Sequence, residues 1–266
     1  MLVFQGFFGI IKIFNIKFFI CEDFTLYILM AVSGAIFATA IEIILCKNLR
    51  KILKLIILSA ISSVGLLFFG KIFGILSYSL FLLRENHYSF KDSIVHSGVV
   101  FYGGLVGFCI FFLLFGKMLK FSKDELFSHL SIICPAFHSI ARVGCYFSGC
   151  CYGIVVDGTI VNTPLKLLCK ANGSLETYRI PVQLIEACAI FFILLMILRE
   201  YHDGQRGFTL FRNYVWAYAL VRFCLEFIRG DVIRGFLLYF SFSQWVSIIL
   251  FLTFTLLKGI DKNEKT

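Results

Sequence analysis

Long apolar runs alternate with short polar segments that carry most of the lysines and arginines. A helix crossing a bilayer core needs about 20 predominantly apolar residues. Seven stretches meet that requirement: 24–46, 55–83, 94–116, 126–147, 182–198, 208–228 and 236–257. The second is long, and Gly70, Lys71 and Gly74 inside it predict a tilt or a break. The fifth is short. Residues 1–20 mix Phe and Ile with Lys12 and Lys17 and lack an Ala-x-Ala-like exit, which predicts an amphipathic interfacial segment rather than a cleaved signal peptide. Between spans four and five, 148–181 holds Gly149, Gly153, Asp157, Gly158, Pro164, Asn172 and Gly173, the residues of turns rather than helix. No internal repeat or low-complexity linker is evident. The pattern predicts an all-α polytopic membrane protein, a single domain over 1–266.

Composition agrees. Of 266 residues, 59% are hydrophobic and 15% charged, against about 25% charged in a soluble domain. That excludes a disordered chain, a collagen and an ordinary cytosolic enzyme. The net charge of +9 is no sign of nucleic-acid binding, because the cations sit in short loops between apolar spans. Their distribution predicts orientation instead. Lys47, Arg50, Lys51, Lys54, Lys117, Lys120, Lys123, Arg199, Arg206, Arg212, Lys258, Lys262 and Lys265 fall on one side, 13 against the 9 of the other. The richer side is expected in the cytoplasm. The N-terminus and the 148–181 loop are then outside and the C-terminus is cytoplasmic.

Ten cysteines are many for this length, but size and hydropathy exclude a secreted disulfide scaffold. Cys21, Cys46, Cys109, Cys134, Cys188 and Cys224 lie in apolar runs and read as small buried hydrophobes. Cys145, Cys150 and Cys151 form a separate group at the outer end of span four. Three thiols in a turn could pair, accept an acyl or alkyl group, bind a metal, or simply pack. Their spacing is not that of a zinc site, so no metal is expected.

Ionisable residues inside a span are costly and default to functional candidates. Here they are Glu42, Lys71, Arg142, Glu186, Arg222 and Glu226. Tyr218, Arg222 and Glu226 recur every four residues and share one helix face. His138 and Arg142 do the same on span four. Two readings stay open: ion pairs stitching helices together, or a polar cavity inside the bundle. Guanidinium groups favour an anionic phospholipid headgroup, because they bind phosphate bidentately and stay charged. Glu186 follows Pro181 in the opening turns of span five, where the helix dipole also favours a carboxylate.

Four pieces of the chain, in order, resemble the prolipoprotein diacylglyceryl transferase family. They are Tyr102-Gly103-Gly104-Leu-Val-Gly107, Arg142-Val-Gly144-Cys145-Tyr-Phe-Ser-Gly149-Cys150-Cys151-Tyr-Gly153, Pro181-Val-Gln183-Leu-Ile-Glu186 and Tyr218-Ala-Leu-Val-Arg222-Phe-Cys-Leu-Glu226-Phe-Ile-Arg229. The family has seven helices with the N-terminus outside. The resemblance implies transfer of a diacylglyceryl group from phosphatidylglycerol to the lipobox cysteine of a prolipoprotein, in a bacterial plasma membrane and without metal or organic cofactor. Its partners would be an anionic phospholipid and a prolipoprotein signal peptide. It implies catalytic roles for Arg142, Arg222, Tyr102 and Glu226. It implies substrate contacts for Gly103, Gly104, Gly144, Tyr218, Glu186, Gln183, Cys145 and Cys150. The family usually has His where this chain has Tyr102, and Asn and Glu where it has Cys145 and Cys150. A thiol-based membrane enzyme, or a lipid-binding or transport protein on the same fold, is the alternative.

Overall fold

The computed structural model describes residues 24–46, 48–84, 89–156, 178–230 and 236–263. The interfacial segment expected over 1–20 and the middle of the 148–181 loop lie outside the described residues.

Among the described residues eight helices follow one another: α1 (Phe24–Leu45), α2 (Leu49–Arg84), α3 (Phe90–His96), α4 (Phe101–Met118), α5 (Lys123–Phe147), α6 (Val182–His202), α7 (Gly207–Leu225) and α8 (Phe242–Asn263). A 3-10 turn, Glu226–Ile228, extends α7, and a two-residue hairpin pairs β1 (Phe236–Leu237) with β2 (Phe240–Ser241). Among the described residues the regular structure is helical apart from this small hairpin and two isolated bridges.

Among the described residues three helical stretches are long and apolar enough to cross a membrane: Leu49–Leu83, Lys123–Phe147 and Val182–His202. Leu29–Leu45, Tyr102–Met118 and Phe242–Leu256 are shorter apolar helices. The faces they turn outward carry Ile36, Ile44, Leu114 and Phe192, each more than half exposed. Arg142, Glu186, Arg222 and Glu226 are buried. A surface this apolar around a polar interior suits lipid rather than water.

Two expected boundaries shift for local reasons. The second span is one unbroken helix of 36 residues, not a broken one. Lys71 stays inside it because its Nζ donates to the Ser97 carbonyl at 2.6 Å. The third span, expected to be continuous over 94–116, is instead interrupted over 97–100 between α3 and α4. There the Val100 N–H bonds the Gly70 carbonyl at 2.9 Å, so the interruption docks on α2.

The same docking explains the glycines of α4. A β-carbon on Gly103 would meet Phe73 at 2.5 Å and the Phe69 carbonyl at 2.7 Å, and one on Gly104 would lie 3.1 Å from Leu66. One on Gly107 would collide with the backbone of Gly65. Small residues thus let α2 and α4 pack backbone to backbone, where dispersion rather than dehydration holds helices together.

Helix α5 is the centre of the bundle and packs on α1, α4, α6 and α7. Ser122 and Glu125 close a capping box at its N-terminus, satisfying donors that the helix cannot use itself. Lys51 of α2 bonds Glu125 at 2.7 Å, and Lys54 donates to the Leu119 carbonyl at 3.2 Å. The Gly207 N–H reaches Ser128 Oγ at 2.7 Å. The α1–α2, α4–α5 and α6–α7 connections therefore gather at one end. At the other end Gly153 bridges Arg229, and Val155 bridges Arg179.

Candidate active site

Three helices converge on one buried carboxylate. Glu186, on the second turn of α6, is 1% exposed. Arg142 Nη2 of α5 lies 3.0 Å from its Oε1, and Arg222 Nη1 of α7 lies 3.3 Å from its Oε2. The Tyr218 hydroxyl donates to Oε1 at 3.0 Å. The helix periods create this meeting: Tyr218 and Arg222 stack on one face of α7, and His138 and Arg142 on one face of α5.

The network extends past α7. Arg222 Nη2 is 3.0 Å from Glu226 Oε2, and Arg229 Nη1 is 3.9 Å from the same oxygen. Glu226 belongs to the 3-10 turn rather than to α7, yet the fourfold spacing still brings it under Arg222. Arg142 Nε donates to His138 Nε2 at 3.2 Å, so that nitrogen is an acceptor and the imidazole is neutral. The His138 ring stands edge-on to Tyr218, centroids 5.2 Å apart.

Among the described residues, Arg142, Arg222 and Arg229 gather around the carboxylates of Glu186 and Glu226. Buried charges of this kind are costly and mark functional candidates.

Tyr102 sits beside this network without joining its ion pairs. Its hydroxyl shares a 2.6 Å hydrogen bond with Ser247 of α8, and its ring lies 5.9 Å from that of Tyr218. Gln183 is buried, and its Nε2 donates to the Cys150 carbonyl at 2.6 Å. Its Oε1 is buried with no hydrogen-bond partner among the described residues. Gly144 is buried on α5, and its carbonyl accepts from Ser148. Gly103 and Gly104, read from sequence as substrate contacts, pack closely against Phe73, Phe69 and Leu66 of α2.

The cysteines stand at the end of α5. Gly149 and Cys151 both take left-handed backbone angles, φ 66° and 59°. For a cysteine that conformation costs about 1–3 kcal/mol, and it turns the chain back on itself. As a result the sulfurs of Cys145, Cys150 and Cys151 all lie within 4.8 Å of one another. The Cys151 thiol is held well below the usual thiol pKa, first by hydrogen bonds to Cys145 and Cys150 and then by Arg229 and Arg142.

A cavity of about 280 Å³ opens among α1, α2, α4 and α5, its walls mostly apolar. His138 borders it, so the imidazole separates the apolar space from the arginines. Glu42 borders it too, and lies 2.8 Å from His129 Nδ1. Arg142, Tyr218, Arg222 and Glu226 are held together in the network around Glu186, and this cavity lies on the other side of His138.

Sequence reading missed three partners. Arg229 was counted as a loop charge, although its three-residue spacing from Glu226 was a usable signal. His129 and Ser247 had none, because their partners Glu42 and Tyr102 are remote in the chain.

Comparison with known proteins agrees with this geometry. A family model described as "Prolipoprotein diacylglyceryl transferase" matches residues 13–258. The chain is 27% identical over 219 residues to "Phosphatidylglycerol--prolipoprotein diacylglyceryl transferase 2" of Clostridium perfringens, covering 81% of this chain and 80% of that protein. It is 25% identical over 188 residues to "Phosphatidylglycerol--prolipoprotein diacylglyceryl transferase" of Clostridium tetani, covering 68% and 70%. The matched region takes in α1 to α7 with every residue of the arginine–carboxylate network, and on that ground the chain belongs to the prolipoprotein diacylglyceryl transferase family, as a divergent membrane transferase of lipoprotein biosynthesis.

Proposed function

We propose that this chain transfers the diacylglyceryl group of phosphatidylglycerol to the lipobox cysteine of a prolipoprotein, in a bacterial plasma membrane. The reaction forms a carbon–sulfur bond and breaks the bond between the diacylglyceryl carbon and its phosphate oxygen. Negative charge moves from the attacking thiolate to the departing glycerol phosphate. The thiol must first lose its proton, because the thiol itself is a poor nucleophile.

The convergence of the Arg142 and Arg222 guanidinium groups at the meeting point of α5, α6 and α7 is the observation that carries this reading. Phosphatidylglycerol brings one negative charge, and its leaving group gains another during displacement. Cations already fixed where charge develops stabilise the transition state more than the ground state. Arg142 and Arg222 take that role. Glu186 and Glu226 hold their planar groups in place, while His138 and Tyr218 set the tilt of Arg142 and of the Glu186 carboxylate. The apolar cavity beyond His138 suits an acyl chain. The buried Gln183 Oε1 suits a glycerol hydroxyl.

Orientation follows from the gathering of basic residues. Lys51, Lys54, Lys120, Lys123 and Arg206 stand at the end where α1–α2, α4–α5 and α6–α7 connect, which the charge bias assigns to the cytoplasm. With seven spans, the N-terminus and the 148–156 turn then lie outside, where secreted preproteins arrive.

Complementation tests the reading. Expressed in bacteria depleted of their own transferase, the chain should restore growth and lipidated prolipoprotein. Accumulation of unmodified prolipoprotein, despite membrane-inserted chain at normal levels, would refute it.

A further inference from the structure

Three thiols meet at the end of α5, and none of them takes part in the bond making and breaking of the proposed transfer. We propose that Cys145, Cys150 and Cys151 form a three-sulfur site for a soft d10 metal ion, best satisfied by monovalent copper.

The geometry is the first argument. A metal–sulfur bond is about 2.3 Å long, so three sulfurs around one trigonal ion lie roughly 4 Å apart. The sulfurs here are already within 4.8 Å of each other, and a contraction of under about 1 Å closes the site. The backbone prepares this arrangement. Left-handed angles at Gly149 and Cys151 fold the turn, and the Cys150 N–H and thiol both bond the Cys145 carbonyl, at 3.2 and 3.7 Å. Gln183 pins the Cys150 carbonyl from α6. Ligands held this way need little rearrangement on binding.

Ion choice follows from the donors. Thiolates select soft cations such as monovalent copper and zinc over magnesium, calcium or manganese. Zinc in a structural site takes four ligands. Among the described residues no histidine or carboxylate joins the three sulfurs. Monovalent copper is content with three. Binding replaces each thiol proton by a metal–sulfur bond and releases the protons to solvent. The thiolates so formed face Arg142 and Arg229, whose charges act on Cys151.

The site is tested by metal binding alone, with no readout of transfer activity. The full chain, purified in detergent and reduced under nitrogen, is titrated with monovalent copper against a chromogenic chelator. One variant has Cys21, Cys46, Cys109, Cys134, Cys169, Cys188 and Cys224 replaced by serine. The wild-type chain is titrated in parallel, in case that variant folds poorly. Cys145→Ser, Cys150→Ser and Cys151→Ser are made singly in both. The expected result is one copper withheld from the chelator, with X-ray absorption showing three sulfurs. Each single substitution should weaken retention by more than the roughly 10–100-fold that outer partners of a metal ligand are worth. No copper withheld, equal retention by the single variants, fewer than three sulfurs, or zinc held in preference to copper would each overturn the proposal.

Discussion

Arg222→Lys isolates geometry from charge. Arg222 spans two carboxylates: one nitrogen reaches Glu186 at 3.3 Å and the other Glu226 at 3.0 Å. Lysine keeps the positive charge but offers one compact ammonium, which cannot take both directions of a planar fork. At least one charge-assisted hydrogen bond is lost, worth about 1.5–3 kcal/mol. If the same fork holds the phosphate in the transition state, kcat/KM falls by about 10- to 150-fold, at 1.36 kcal/mol per decade. The assay uses purified chain in phosphatidylglycerol micelles with a labelled lipobox peptide, scored for thioether product. Thermal unfolding in the same detergent shows whether the variant is intact. A well-folded Arg222→Lys chain within twofold of wild type would refute the clamp, since charge alone would then suffice.

Glu186→Gln removes the carboxylate shared by Arg142, Arg222 and Tyr218 and takes away the acid that Arg142 pairs with, leaving Glu226 to Arg222 and Arg229. The loss should approach the 3–5 kcal/mol of a broken buried pair, read as a lowered unfolding midpoint in detergent; an unchanged midpoint would count against the network. Gly107→Ala forces a β-carbon into the Gly65 backbone, so α2 and α4 must separate at a cost of about 1–3 kcal/mol, checked by the same measurement. Ser122→Ala opens the α5 capping box and should cost about 1 kcal/mol. On a cysteine-free background, a membrane-impermeant thiol reagent should label Val155→Cys in intact cells and Lys120→Cys only after lysis. The opposite pattern would invert the orientation.

Much of the fold was legible in the chain because a membrane leaves few solutions. Every backbone polar group must be satisfied within its own segment, so a run of about 20 apolar residues reads as a helix. That logic placed α1, α5, α6 and α7 to within a few residues, whereas α8 starts six residues later than expected, after the β1–β2 hairpin. The spacing of Tyr218, Arg222 and Glu226 likewise announced a shared face, because periodicity is a local property. Tertiary contacts decided the rest. Hydropathy could not show that α2 stays unbroken past Lys71, since the carbonyl that holds the ammonium belongs to Ser97. Nor could it show that Gly103 and Gly104 serve helix packing, because their neighbours Phe73 and Leu66 lie on another helix. Glu186 was a plausible first-turn carboxylate until α5 and α7 supplied its two arginines. The spacing of Cys145, Cys150 and Cys151 argued against a metal, yet two left-handed residues in the turn bring their sulfurs together. Sequence determines what each segment buries and which residues share its faces. Which faces meet depends on packing between segments far apart in the chain, and only the folded bundle decides it.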